Sequence, residues 1–249
     1  MKVIIDDQFV EYSDQGSGKV VLMLHGWGQN LVTFDKIAED LSKNFRVIRF
    51  DFPGFGGSPK PKTDWFVGDY AENTVELLKK LGVGSLFAVI GHSFGGRVII
   101  KGFSQGILNP EKVILIGAAG IKHSKNSGYK VIAKIGKIIT LLPVLRQFQP
   151  KLRQKLYKQI GNEDYLNSNN MKQIFLNTIN EDLSSEIKSI NQPTMLIWGR
   201  DDTETPIGDA ETMNALIANS KLSILDNAGH FVYKEKFDEV VKLIKGFLA

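Results

Sequence analysis

The chain contains no cysteine, which excludes disulfides, thiolate catalysis and cysteine-held metals together. Histidine is nearly as scarce, with only His25, His92, His123 and His230 in 249 residues. None of them stands at a metal-ligand spacing such as H-E-x-x-H, so no metal is expected. No apolar run approaches the ~20 residues of a membrane span. The opening Met1-Lys2-Val3-Ile4-Ile5-Asp6 meets an acid before a signal-peptide core can form, and a cytoplasmic location is the expectation. Acid is itself missing from one stretch: residues 112–162 hold eleven lysines and arginines and no aspartate or glutamate. The rest of the chain carries 20 basic residues against 27 acidic ones, so the net charge of +4 conceals a basic segment on an acidic body. Those basic residues are not interleaved with stacking aromatics, which argues against nucleic acid as a partner.

What is present is an alternation of strand and helix. Apolar or alternating runs at 2–5, 8–12, 20–24, 45–50, 86–90, 113–116, 194–198 and 221–225 read as eight strands. Helical spacing is clear in Tyr70 to Leu81, in Phe94 to Gln105, and at the end, where Phe237, Val240, Val241, Ile244, Phe247 and Leu248 share a face. The pattern predicts an α/β fold: a mostly parallel eight-stranded sheet with helices on both faces. Between Ile116 and Thr194 no convincing strand occurs, and a connection of that length made of helix formers reads as an inserted helical cap.

The most specific stretch is Gly91-His92-Ser93-Phe94-Gly95, placed between the strand 86–90 and the helix from Phe94. A serine on a sharp strand-to-helix turn needs neighbours without a Cβ, and Gly91 and Gly95 meet that need. The N–H of Phe94 then lies at a helix N-terminus, where a developing oxyanion finds partial positive charge.

Serine needs a base to take its proton and an acid to orient the base. His92 neighbours the serine but points to the other side of the turn. His25, in His25-Gly26-Trp27-Gly28 after the strand 20–24, occupies a glycine-loosened loop suited to a second oxyanion N–H. His123 opens a lysine-rich stretch and reads as a surface residue. His230, in Asn227-Ala228-Gly229-His230-Phe231 after the last strand, is the candidate base. The loop after 113–116, Gly117-Ala118-Ala119-Gly120, has no carboxylate, so the acid belongs in Gly199-Arg200-Asp201-Asp202. Two aspartates compete there.

These motifs together resemble the α/β-hydrolase superfamily over nearly the whole chain, apart from roughly residues 121–190. The order serine, acid, histidine matches. So do the oxyanion loop at His25-Gly26-Trp27-Gly28 and the glycine-rich loop Asp51-Phe52-Pro53-Gly54-Phe55-Gly56-Gly57-Ser58, which fits neither phosphate-loop pattern. The family's acid motif, Gly-x-x-Asp with proline four residues on, falls on Gly199, Asp202 and Pro206. The resemblance therefore implies a triad of Ser93, Asp202 and His230, with the N–H groups of Trp27 and Phe94 as oxyanion hole and Trp27, Phe94 and Phe231 against the substrate. It implies a core of residues 1–120 and 191–249, a cap of 121–190, no cofactor, and a small-molecule ester as substrate. A carboxylesterase of short or medium acyl esters is the expected activity. The alternatives are a carbon–carbon bond hydrolase of aromatic ring-fission products and a slow-turnover ligand sensor. The former subgroup usually has asparagine before the nucleophile and tryptophan after the histidine, where this chain has His92 and Phe231.

In the cap, Lys130, Lys134 and Lys137 share one helical face and Val131, Ile132, Ile135, Ile138, Ile139 and Leu142 the other. A lid over the pocket with lysines in water is the preferred reading, and contact with a membrane surface is the alternative. Arg97 reads as an ion-paired structural arginine. Trp65 and Phe66 read as pocket or loop-anchoring residues.

Overall fold

The computed structural model describes residues 1–122 and 169–249. Asp6 and Asp7 both take positive φ, 45° and 60°, the geometry of a two-residue hairpin turn. The chain therefore opens on an antiparallel pair, β1 (Lys2–Ile5) and β2 (Gln8–Gln15). Strands β3 (Val20–Leu24), β4 (Arg46–Phe50), β5 (Ala88–His92), β6 (Lys112–Ile116), β7 (Thr194–Gly199) and β8 (Ser220–Leu225) follow. They form one sheet in the order β1-β2-β4-β3-β5-β6-β7-β8. From β4 to β8 every pairing is parallel.

A parallel sheet must be covered on both faces, which explains the unbroken apolar runs of β3, β5, β6 and β7. Side chains alternate between the two cores. Leu22, Leu24, Val89 and Leu115 face α2 (Val67–Lys80), α3 (Phe94–Ser104) and α5 (Ile207–Leu216). Val21, Met23, Ile90 and Ile116 face α1 (Asp35–Leu41), α6 (Val232–Glu235) and α7 (Phe237–Leu248). The remaining α-helix among the described residues, α4 (Lys172–Asn180), lies in the segment read as cap. Residues 123–168, with His123 and the Lys130, Lys134 and Lys137 face, lie outside the described residues.

Three elements differ from the sequence expectation by more than one residue. β2 runs on to Gln15 because Tyr12–Gln15 leave β1 and pair with Val47–Phe50 of β4, a partnership that alternation of apolar residues does not reveal. β5 is displaced to Ala88–His92, since Gly91 and His92 hold register with Leu115 and Ile116. α2 begins at Val67, where the Asp69 carboxylate accepts the Phe66 N–H at 2.7 Å, satisfying a donor at the helix start. The consequence for function is that β3, β5, β6, β7 and β8 end side by side. In such sheets, loops beyond the carboxyl ends of the strands build the binding crevice.

Candidate active site

Ser93 follows the last residue of β5 and precedes α3, with φ 49° and ψ −109°. A non-glycine residue there costs of order 1–3 kcal/mol and persists only where the surroundings over-determine it. They do so here. The Ser93 N–H donates to Ile116 O at 3.1 Å, and Ser93 O accepts from Gly96 N–H and Ala119 N–H, both at 3.0 Å. Gly91 and Gly95 have ordinary φ and are required by space: a Cβ on Gly95 would collide with the Leu24 carbonyl, and one on Gly91 would lie 2.8 Å from the Gly95 backbone.

Asp202 and His230 meet one residue from that anchor. Asp202 Oδ1 accepts the N–H groups of Glu204 and Thr205, each at 2.9 Å. Its Oδ2 accepts the Thr205 hydroxyl at 2.8 Å and pairs with His230 Nδ1 at 2.9 Å. Burial alone raises the Asp202 pKa, but the hydrogen bond and charge of His230 and the two bonds from Thr205 outweigh it and hold the carboxyl below its ordinary value. An ionised carboxylate only accepts, so Nδ1 of His230 carries the proton and Nε2 of the neutral ring is a base. Gly117, which follows Ile116, has φ 48°, and a Cβ there would lie 3.3 Å from Asp202 Oδ2 and 3.4 Å from His230 Nδ1. The same β6 end thus anchors the serine and borders the acid–base pair. Asp201 is exposed, and its backbone N–H is bonded to Ala228 O.

His230 Nε2 faces Glu204 Oε2 at 3.4 Å. The link between the Ser93 and His230 loops runs through His92, which is fully buried, with Nε2 3.0 Å from His230 O. A carbonyl only accepts, so His92 Nε2 is protonated. Burial, followed by the charge of His230, lowers the His92 pKa to about 3.

His25 is a staple rather than a base. Its Nε2 accepts the Phe52 N–H at 3.0 Å, so its Nδ1 is the donor to Gly26 O at 2.8 Å. Burial lowers its pKa to about 4. Gly26 O also accepts from Gln29 N–H. In a planar trans peptide the N–H opposes the C=O, so these two bonds turn the Trp27 N–H to the other side. A Cβ on Gly26 would lie 2.8 Å from His92 Nδ1 and 3.4 Å from Ser93 Cβ, which places this loop against the elbow. Asp51 fixes the adjoining loop by accepting Leu31 N–H and Gly57 N–H.

Trp27 packs edge-on to Phe55 and Phe94 at 4.9 and 5.3 Å between ring centroids, and tilted against Phe175 of α4 at 5.1 Å. Phe231 does not join this wall. It packs on His92, His230 and Tyr233 and belongs to the opposite core, behind the histidine. Arg97 is buried, its guanidinium donates to the Glu181 carbonyl at 2.8 Å, and the carboxylates of Glu181, Asp182 and Asp209 favour its charged form against that burial. Trp65 packs on Tyr70, while Phe66 is 57 % exposed. Sequence reasoning passed over Thr205 and Glu204. A turn that returns N–H groups and a hydroxyl to an aspartate two and three residues back was the available signal. No group of three metal-ligating side chains occurs among the described residues.

The family model for the alpha/beta hydrolase fold matches residues 19–118 and 125–237. The AB hydrolase superfamily protein YisY of Bacillus subtilis is 27% identical over 257 residues, covering 96% of this chain and 94% of that protein. The pimeloyl-[acyl-carrier protein] methyl ester esterase of Nitrosomonas europaea is 24% identical, covering 86% of this chain and 90% of that protein. Among solved structures, a bacterial membrane phospholipase A superposes with a TM-score of 0.78 at 22% identity, over 100% of this chain and 84% of that one. No helix among the described residues is long and apolar enough to cross a membrane.

Proposed function

This chain belongs to the alpha/beta hydrolase fold family, and we propose that it is a serine hydrolase acting as a carboxylesterase on short to medium acyl esters. The observation that carries the proposal is the buried Asp202–His230 pair at 2.9 Å beside a strained serine whose backbone is held by the same strand end. Relatives named for ester hydrolysis, such as the methyl ester esterase of Nitrosomonas europaea, support the ester over other bonds.

In this reading Ser93 Oγ attacks the ester carbonyl carbon while its proton passes to His230 Nε2. The carbonyl oxygen gains negative charge and takes hydrogen bonds from the Trp27 and Phe94 N–H groups. Collapse breaks the carbon–oxygen bond to the alcohol, which leaves with the proton from Nε2. Water, deprotonated by the same nitrogen, then releases the acid from Ser93. Asp202 keeps the ring in one tautomer and stabilises the imidazolium. The acyl chain lies along Trp27, Phe94 and Phe55, with Phe231 supporting the histidine from behind. The assignment of residues 121–190 to a cap is supported by the contact of Phe175 in α4 with Trp27.

A panel of nitrophenyl esters of increasing acyl length, with one dienoic ring-fission substrate included, tests the assignment. Turnover of the shorter esters, with the ring-fission compound untouched, is the expected result. Turnover of that compound alone would replace ester with carbon–carbon chemistry, and tight binding without turnover of either would identify a sensor.

A further inference from the structure

Tyr233 lies in α6, shortly after His230, and its side chain is buried. Its ring packs edge-on to His92 at 4.8 Å between centroids and tilted on Phe34 at 5.0 Å. The hydroxyl reaches across to the loop that carries Trp27. There Gln29 Oε1 accepts from Tyr233 Oη at 3.1 Å and from Thr33 Oγ1 at 2.8 Å, and the two hydroxyl oxygens are themselves 3.1 Å apart. Burial pushes the Tyr233 phenol up to about 12, so it keeps its proton at neutral pH. An amide oxygen has no proton to give; two hydroxyl protons therefore serve these three contacts, and every arrangement leaves at least one on Gln29 Oε1.

The other end of Gln29 is bonded as well. Its backbone N–H donates to Gly26 O at 3.2 Å, closing a turn in which Gly28 has φ 69°. Gly26 C=O and Trp27 N–H belong to one planar peptide, so whatever holds Gln29 also orients that N–H. Thr33 belongs to the same stretch of chain as Gln29, whereas Tyr233 comes from beyond β8 and ties the loop to the far side of the site.

We propose that Tyr233 is a positioning residue for oxyanion stabilisation: its hydroxyl, acting through Gln29, holds the Gly26–Trp27 peptide in the orientation that the tetrahedral intermediate requires. The proposal rests on the serine-hydrolase reading above and adds to it a residue that touches neither substrate nor reacting atoms. Outright removal of an oxyanion donor costs roughly 10²–10³ in turnover. Loss of Tyr233 Oη leaves Thr33 on Gln29 and displaces the donor without removing it, so the expected effect is smaller, about tenfold.

Tyr233→Phe removes the hydroxyl and keeps the ring packing. On a short nitrophenyl ester it should lower kcat about tenfold and leave KM within about twofold, since acylation and deacylation both pass through an oxyanion. A trifluoromethyl ketone of matching acyl length mimics that state: Ser93 Oγ bonds to its carbonyl carbon, the carbonyl electron pair moves to oxygen, and the serine proton passes to His230 Nε2. Its inhibition constant should weaken by the same factor as kcat. Gln29→Met, a change in a half-buried loop residue, should lose at least as much in both measurements and carries the test if Tyr233→Phe does not fold. Adding Tyr233→Phe to Gln29→Met should cost less than about a further twofold, because the hydroxyl acts through Gln29. An unchanged kcat in the single variants, a loss confined to KM, an inhibition constant that does not follow kcat, or losses that multiply in the double variant overturns the proposal while the hydrolase reading stands. Failure to turn over any ester, with Ser93 inert to a fluorophosphonate, overturns both.

Discussion

His92 donates from Nε2 to the carbonyl oxygen of His230 at 3.0 Å, so the residue before the candidate nucleophile holds the loop of the candidate base. The two loops lie far apart in sequence, at the ends of β5 and β8, and this is a direct tie between them. His92→Ala should lower kcat by about 10- to 100-fold, because a loop shift of the order of an ångström suffices for such a loss. KM should change less than about threefold. Steady-state kinetics on a short nitrophenyl ester checks this, and an unchanged kcat would show that the loop needs no such tie.

The two aspartates of the acid loop should separate sharply. Asp202 accepts four hydrogen bonds, one of them from His230, whereas Asp201 is exposed. Asp202→Asn should reduce turnover by about 10⁴ by presenting the wrong partner to Nδ1, and Asp201→Asn by less than about tenfold. The opposite ranking would put the acid one residue earlier.

Two buried neutral imidazoles make stability depend on pH. Above about pH 6.5, His25 and His92 are neutral in both folded and unfolded chains and add no slope. Between about pH 6.5 and 4 the unfolded chain takes up protons that the folded one refuses, since burial lowers the two values to about 4 and about 3. Stability should therefore fall with acidification by roughly 2.5 kcal/mol per pH unit near pH 5.5, equivalent to nearly two protons. Asp202 acts in the same direction only lower, because its folded value lies beneath an unfolded value near 4. Denaturant titrations from pH 7.5 to 5 should show this slope, and His25→Asn should roughly halve it. A flat profile would mean that the imidazoles are charged or solvated in the folded protein.

The sheet was legible because its central strands are buried on both faces and so are written as unbroken apolar runs. The turn over Asp6 and Asp7, the register that carries β5 through Gly91 and His92, and the passage of β2 onto β4 were not legible. They depend on which strands become neighbours, and alternation within one segment carries no such information. The same division holds at the site. Gly91 and Gly95 and the His25 loop mark local turn geometry and could be read directly, whereas the choice of Asp202 over Asp201 came from the resemblance of Gly199–Pro206 to the family's acid motif. The His92–His230 tie, the approach of Glu204 to Nε2 and the placement of Phe231 in the opposite core arise only when β5, β7 and β8 lie side by side.

The account turns on Ser93, and reaction with a serine-directed fluorophosphonate, followed by peptide mapping, tests it most directly. One phosphonyl group should be found on Ser93, with none elsewhere, and Ser93→Ala should be unlabelled, folded and slower by about 10⁶ in turnover. Labelling at another serine, or a Ser93→Ala protein that keeps more than a few per cent of its activity, would contradict the account.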